Sequence, residues 1–214
     1  MTTQRISPGR RAELKARHRQ AILDAADSLI RERGKPQFSV DELAERADVA
    51  RRTVFNHFAS LDEVIMTTCT RVLSGAVDEF RAATAAAPAE GDGGVTLFVQ
   101  ITTAVKTMDL PTVVAYLWGV LSDDEDDDRS QNALQNVFTR ATEQLSEELA
   151  GRSSQLDELE VAILVSSLMN GIAVICHHWI ARTGATLDAE SREVWAHLLD
   201  RLVTAVGSGY AAPR

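Results

Sequence analysis

Residues 39–58, SVDELAERADVARRTVFNHF, hold two short helical patterns separated by a turn, and the reading of the whole chain follows from them. Ser39 with Glu42 three residues later has the spacing of a capping box and opens the first pattern. Val40, Leu43, Ala44 and Ala47 then share one helical face. A break falls at Asp48-Val49-Ala50, and a second short helix is predicted from Arg51 to Phe58. Val54 and Phe58, four apart, anchor that helix inward and leave Arg51, Arg52 and Asn56 on other faces. Upstream, Ile22, Ala25, Ala26, Leu29 and Ile30 mark one face of a longer helix that Gly34 and Pro36 stop. A longer helix followed by two short ones across a tight turn is the layout of a helix-turn-helix, whose last helix enters the DNA major groove. Arginine pairs bidentately with guanine and asparagine with adenine, so Arg51, Arg52 and Asn56 suit base edges. Thr53 and His57 have the polarity and reach for phosphates or bases.

Residues 19–65, RQAILDAADSLIRERGKPQFSVDELAERADVARRTVFNHFASLDEVI, resemble the DNA-binding domain of the TetR family of bacterial repressors. Thr53-Val54-Phe55-Asn56-His57-Phe58 is similar to that family's recognition-helix signature. The resemblance implies that Ser39 bonds a phosphate, that Arg51, Arg52, Thr53 and Asn56 line the groove, and that Phe55 and His57 press on the sugar-phosphate backbone. Three positions depart from the family pattern. Asp48 stands where a glycine is common and has to tolerate a left-handed backbone. Phe55 replaces a frequent tyrosine, which removes a hydroxyl–phosphate bond. Leu61 replaces a frequent lysine, a loss that the basic N-terminal arm is expected to offset.

Beyond this segment the pattern stays helical. Ser60 and Glu63 repeat the capping-box spacing and start a helix predicted over 61–86. Ala85 to Gly94 reads as a helix end and loop. Residues 95–106 read as helix despite many β-branched side chains, and Asp109-Leu110-Pro111 opens another that ends near Leu121. Further helices are predicted over about 130–150, 157–182 and 189–206. The expected fold is all-α, with about nine helices: a three-helix domain at residues 1–60 with a basic N-terminal arm, and a helical bundle at 61–214 for ligand binding and dimerisation.

The charge distribution agrees with that division. The net charge is −9, but residues 1–60 carry twelve Lys/Arg against eight Asp/Glu, a surplus of +4. Residues 61–214 carry ten against twenty-three, a deficit of −13. Arg5, Arg10, Arg11, Lys15, Arg17 and Arg19 face only Glu13 in the first twenty residues, which points to a polyanionic partner at that end. No run of eighteen apolar residues suggests a membrane span, and no signal-peptide core is present at the start. Cys69 and Cys176 are too few and too far apart for a disulfide framework, so a cytoplasmic protein is expected.

Leu159 to Ile180 is apolar on nearly every face and is expected to be buried on several sides. Trp195, Leu198, Leu199, Leu202 and Val206 continue the pattern in the last helix. The family resemblance implies a homodimer through these last two helices, bound to a palindromic operator, and a small ligand within the body, which the aromatic and Met content marks as lipophilic. Candidate ligand-lining residues are Met66, Thr70, Tyr116, Trp118, Phe138, Met169, Asn170, His177 and Trp179, with Asn170 and His177 expected to be buried and in need of partners. Three tempting motifs carry no site. Cys176-His177-His178 point about 100° apart on a helix, with no ligand-type partner at i, i+4, so no metal is expected. The acidic run Asp123 to Asp128 lacks the glycine and terminal glutamate of a calcium loop. Gly91, Gly93 and Gly94 have no phosphate-loop spacing, and no nucleophile–base pair appears. The sequence therefore reads as a regulator and not an enzyme, with no cofactor.

Overall fold

The computed structural model describes residues 8–86, 94–121 and 157–208, with individual positions between 139 and 151. Among the described residues every regular element is an α-helix. Eight have defined bounds: α1 (Pro8–Arg33), α2 (Val40–Arg46), α3 (Arg51–His57), α4 (Leu61–Ala86), α5 (Gly94–Thr107), α6 (Leu110–Leu121), α7 (Glu158–Thr183) and α8 (Ala189–Gly207). Thr142, Leu145 and Leu149 are also helical, within the helix expected over 130–150. Phe138 and the acidic run lie outside the described residues.

Two compact units emerge, Met1–Arg71 with Gly119–Glu125, and Val72–Trp118 with Asp126–Arg214. The first extends past residue 60 because the first turns of α4 belong to it. Cys69 on α4 is fully buried. Arg71 donates to the Asp24 carboxylate at 2.6 Å and to the Leu23 carbonyl at 3.1 Å, both on α1. The core of this unit is built from Ile22, Ala26 and Leu29 of α1, Leu43 of α2, Val54 and Phe58 of the α3 region, and Val64 of α4. Burying each large apolar side chain here stabilises by about 1.5–3 kcal/mol. In the same unit the end of α6 approaches the α1 C-cap very closely: a Cβ at Gly119 would lie 2.0 Å from the Gly34 carbonyl oxygen.

The second unit centres on Ile101, Leu164, Leu168, Trp179, Trp195 and Leu199. Burial of Leu97, Ile101, Ala104 and Val105 on one side of α5 explains why that segment is helical in spite of its β-branched residues. α7 opens with a complete capping box: Glu160 N–H donates to Asp157 at 2.7 Å, and Asp157 N–H donates to the Glu160 carboxylate at 3.1 Å. It ends at Gly184, left-handed with φ 63°. The Trp179 indole N–H donates to the Ser191 carbonyl at 2.8 Å, and its ring meets Trp195 edge-on at 5.6 Å, locking α7 to α8.

α7 differs from expectation in two ways. By length and composition it could cross a membrane, with a mean hydropathy of 2.0, although Ser166, Ser167, Asn170 and Gly171 interrupt its apolar run. Nor is it buried on several sides. Val161, Leu164, Val165, Leu168, Ile175 and Trp179 occupy the core, while Leu159, Ile163 and Val174 are 66%, 52% and 56% exposed. Along the open side Leu159, Ile163, Ser167, Asn170, Val174 and His177 recur every three to four residues, which puts them on one stripe.

Candidate nucleic-acid interface

α2 and α3 pack on α1 through apolar contacts, and ion pairs tie α2 to α1 and α3 to α2. Ser39 caps α2, its hydroxyl oxygen accepting from Glu42 N–H at 3.2 Å. The hydroxyl proton stays available to a phosphate, as the assigned role requires. The Glu42 carboxylate is drawn toward Arg33 of α1, with one bond at 3.2 Å, and its pKa is lowered by that guanidinium. Arg46 of α2 reaches Glu32 of α1 at 2.5 Å, and Arg46 and Ser28 together hold the Glu32 carboxyl near 2. The chain then turns through Asp48 at φ 51°, the left-handed conformation expected where a glycine is common.

α3 presents its residues as the spacing implies. Val54 is buried in the helix and Phe58 behind its end. Arg51, Arg52, Phe55 and Asn56 are exposed, and Thr53 and His57 are half-buried. Phe55 is 46% exposed on an otherwise polar surface. Arg51 is not idle: it bridges Asp41 of α2 at 2.6 Å and lies 5.8 Å from the Phe55 ring. Arg52 carries no carboxylate partner among the described residues, which leaves its fork available for a base or phosphate. At the start of α4, Glu63 N–H donates to Ser60 at 3.1 Å, and the Glu63 carboxylate accepts from Ala59 N–H at 2.5 Å.

His57 occupies an environment that sequence reasoning did not anticipate. Its Nδ1 is buried with no hydrogen-bond partner among the described residues. The ring of His18 on α1 stands edge-on to it at 6.3 Å, and Arg19 lies over Phe58 at 4.8 Å from the ring centre. Burial first, and then the charges of Lys15, His18 and Arg19, push the His57 imidazole below the ordinary histidine range. The signal was present in the i, i+3, i+4 spacing of Lys15, His18 and Arg19, which places them on one face of α1.

The candidate ligand residues of the body differ in exposure. Trp179 is fully buried and its N–H is used within the core. Tyr116 is buried, Met66, Thr70 and Met169 are half-buried, and Trp118 is 42% exposed. Asn170 and His177, expected to be buried, are exposed, because α7 turns this side outward; Asn170 donates to its own helix at Ser166 O, 2.9 Å away. Phe138 lies outside the described residues. A groove of about 490 Å³ between the α5–α6 turn and α8 is lined by Lys106, Met108, Asp109, Pro111, Arg192 and Trp195 among others, and by none of the nine candidates. Arg192 bridges Asp109 at 2.8 Å and Lys106 bridges Asp200 at 3.3 Å along its rim.

Residues 22–65 match the model of the tetR family of bacterial regulatory proteins. No curated protein sequence matches the chain. Among solved structures, a TetR-family transcriptional regulator from Mesorhizobium loti superposes with a TM-score of 0.62 at 18% identity, over 90% of this chain and 96% of that one. A TetR-family regulator from Streptomyces coelicolor gives 0.60 at 15% identity over 89% and 96%. The multidrug binding protein EbrR, complexed with imidazole, gives 0.52 at 22% identity over 85% and 94%. The family's N-terminal model is thus matched across α1 to α4, where the helix-turn-helix stands, and along the rest of the chain the fold is similar to that of solved TetR-family regulators.

Proposed function

We propose that the chain is a cytoplasmic repressor that binds a palindromic operator as a homodimer and is released when a small, lipophilic ligand enters its helical body. Residues 1–60 form the DNA-binding domain in this reading, and residues 61–214 the ligand-binding and dimerisation domain. The observation that carries it is the exposed face of α3. Arg52, Phe55 and Asn56 stand outward while Val54 and Phe58 fix the helix from behind, as a groove-reading helix requires. The apolar stripe of Leu159, Ile163 and Val174 supports the dimer, since side chains of this kind left open on a helix gain about 25 cal/mol per Å² when covered. Two copies would set the heads about one helical turn of DNA apart, roughly 34 Å. The likeness to a multidrug binding protein supports a small-molecule effector. A ligand that prefers the form with wrongly spaced heads would release the DNA by shifting that equilibrium.

The test is a titration of the purified protein against DNA flanking its own gene, with salt varied and stoichiometry measured. Two protomers per site, strong preference over random duplex and a steep salt dependence are expected. Failure to prefer any sequence, including those recovered from random-sequence selection, would overturn the reading.

A further inference from the structure

In the second unit, where the α5–α6 turn meets α8, the groove of about 490 Å³ has an apolar floor and a charged rim. Met108, Pro111, Trp195 and Leu199 make the floor, and each is otherwise buried. The floor is stiff, because Trp195 stands edge-on against Trp179 at 5.6 Å. At one end of the rim Arg192 donates to both oxygens of Asp109, at 2.8 and 3.4 Å, and the Thr112 hydroxyl donates to the same carboxylate at 2.6 Å. These charges satisfy each other and tie α8 to the α5–α6 turn. At the other end Lys106 donates to Asp200 through a single bond of 3.3 Å. Both side chains are exposed. An ammonium has three donors and a carboxylate two oxygens, so each keeps bonding capacity that no described residue fills.

We propose that this groove binds a free α-amino acid with a large apolar side chain: its carboxylate on Lys106, its ammonium on Asp200 and its side chain on the Met108–Trp195 floor. The rim decides the class. An anionic head brought to Lys106 meets Asp200 beside it, and a cationic head brought to Asp200 meets Lys106, so each gains one attraction and one repulsion. A head that carries both signs on neighbouring atoms takes both partners and leaves no charge opposed. An α-amino acid holds its two groups on one carbon, which suits two partners that themselves stand 3.3 Å apart. The floor supplies the rest of the affinity, since an apolar or aromatic side chain is removed from water against Trp195 and Met108. A volume of about 490 Å³ lies within the range of small-molecule clefts, roughly 300–1,000 Å³. The site is separate from the lipophilic effector and independent of the DNA-binding reading, because every group in it belongs to α5, α8 or the turn into α6.

Calorimetric titration of the full chain with L-phenylalanine tests this, with phenylpropionate (the carboxylate alone) and phenethylamine (the ammonium alone) as single-signed controls. L-phenylalanine should bind once per chain with roughly millimolar affinity, as a ligand of its size allows. Each control should bind at least about tenfold more weakly, since it forfeits one charge-assisted bond. Lys106→Gln and Asp200→Asn change exposed side chains outside the core, so both variants should fold, and each should weaken L-phenylalanine by about tenfold. The two variants should also shift preference in opposite directions. Lys106→Gln should take phenethylamine more tightly than wild type does, and Asp200→Asn should take phenylpropionate more tightly. Absence of saturable L-phenylalanine binding overturns the proposal. Unchanged affinity in both variants places the ligand elsewhere and overturns it too. A control that binds wild type as tightly as L-phenylalanine does refutes the two-signed head. None of these readouts uses DNA, so their failure and that of the operator titration are told apart directly.

Discussion

Three glycines within helices allow one substitution to be tried in three surroundings. At Gly75 of α4 a Cβ would meet nothing within 4 Å. Alanine there gains about 0.5–1 kcal/mol, because glycine loses more backbone freedom in a helix than alanine does. At Gly171 of α7 the added Cβ would lie 2.2 Å from Leu202 Cδ1, the mobile end of a side chain. Repacking Leu202 costs about 1–3 kcal/mol and is partly offset by the same helical gain. At Gly119 of α6 the Cβ would lie 2.0 Å from the Gly34 carbonyl oxygen and 3.2 Å from its carbon, where ordinary contact begins near 3.4 Å. Both partners are backbone, so one chain segment has to move by more than an ångström. Gly34 is itself left-handed at φ 72° and stops α1 through its N–H to Ile30 O at 2.8 Å, which limits how it can yield. A cost of about 3 kcal/mol is expected for Gly119→Ala, with little helical gain two residues from the end of α6. Thermal melts at one protein concentration should therefore rank Gly75→Ala above wild type, Gly171→Ala at or below it, and Gly119→Ala lowest. At roughly 2–4 °C per kcal/mol, the first should gain about 1–4 °C and the last lose about 6–12 °C. A Gly119→Ala protein melting with wild type would refute the close approach of α6 to the α1 C-cap.

Other expectations follow from the described contacts. Arg52→Ala should weaken operator binding by about 1–3 kcal/mol in a titration with an unchanged melting curve, whereas Arg51→Ala should also loosen α2, because it removes the Asp41 bridge; equal operator affinity for Arg52→Ala and wild type would sink its role. Ile163→Glu combined with Val174→Glu should yield monomers by light scattering without loss of helix content, and a persistent dimer would move the interface elsewhere. Glu32 and Glu42 titrate below their unfolded values, so their stabilisation is complete above about pH 4.5 and is lost as pH falls toward 2. Melts across that window should fall for wild type and fall less for Glu32→Gln. Burial pushes both Cys69 and Cys176 thiols up to about 12, so native protein should react slowly with a disulfide reagent at pH 8 and quickly once unfolded.

Much of the head was legible because its signals are local. Val54 and Phe58 face inward at the spacing that a helix imposes, Ser39 caps where a serine should, and α4 runs from Leu61 to Ala86 as its capping pattern and periodicity indicate. Asp48 adopts the left-handed turn inferred from its place in the motif. What stayed hidden depends on groups far apart in the chain. His57 acquires its surroundings from α1, some forty residues upstream, and Gly119 meets Gly34 across a still longer interval. The two sides of α7 were indistinguishable for another reason. Leu164 in the core and Ile163 in the open belong to the same chemical class, and one sequence does not say which apolar stripe faces its own chain and which is left for another.

That helix also bears on how the protein is made. Until α8 has been synthesised, Trp179 has neither the Ser191 carbonyl nor the Trp195 ring to hold it, and Glu158–Thr183 is a long apolar segment without its cover. Length and hydropathy are the two properties by which insertion machinery selects its clients. By those two properties alone Glu158–Thr183 resembles such a client until its inner side is covered. The nineteen-residue α8 is the element that supplies that cover, through Ser191 and Trp195.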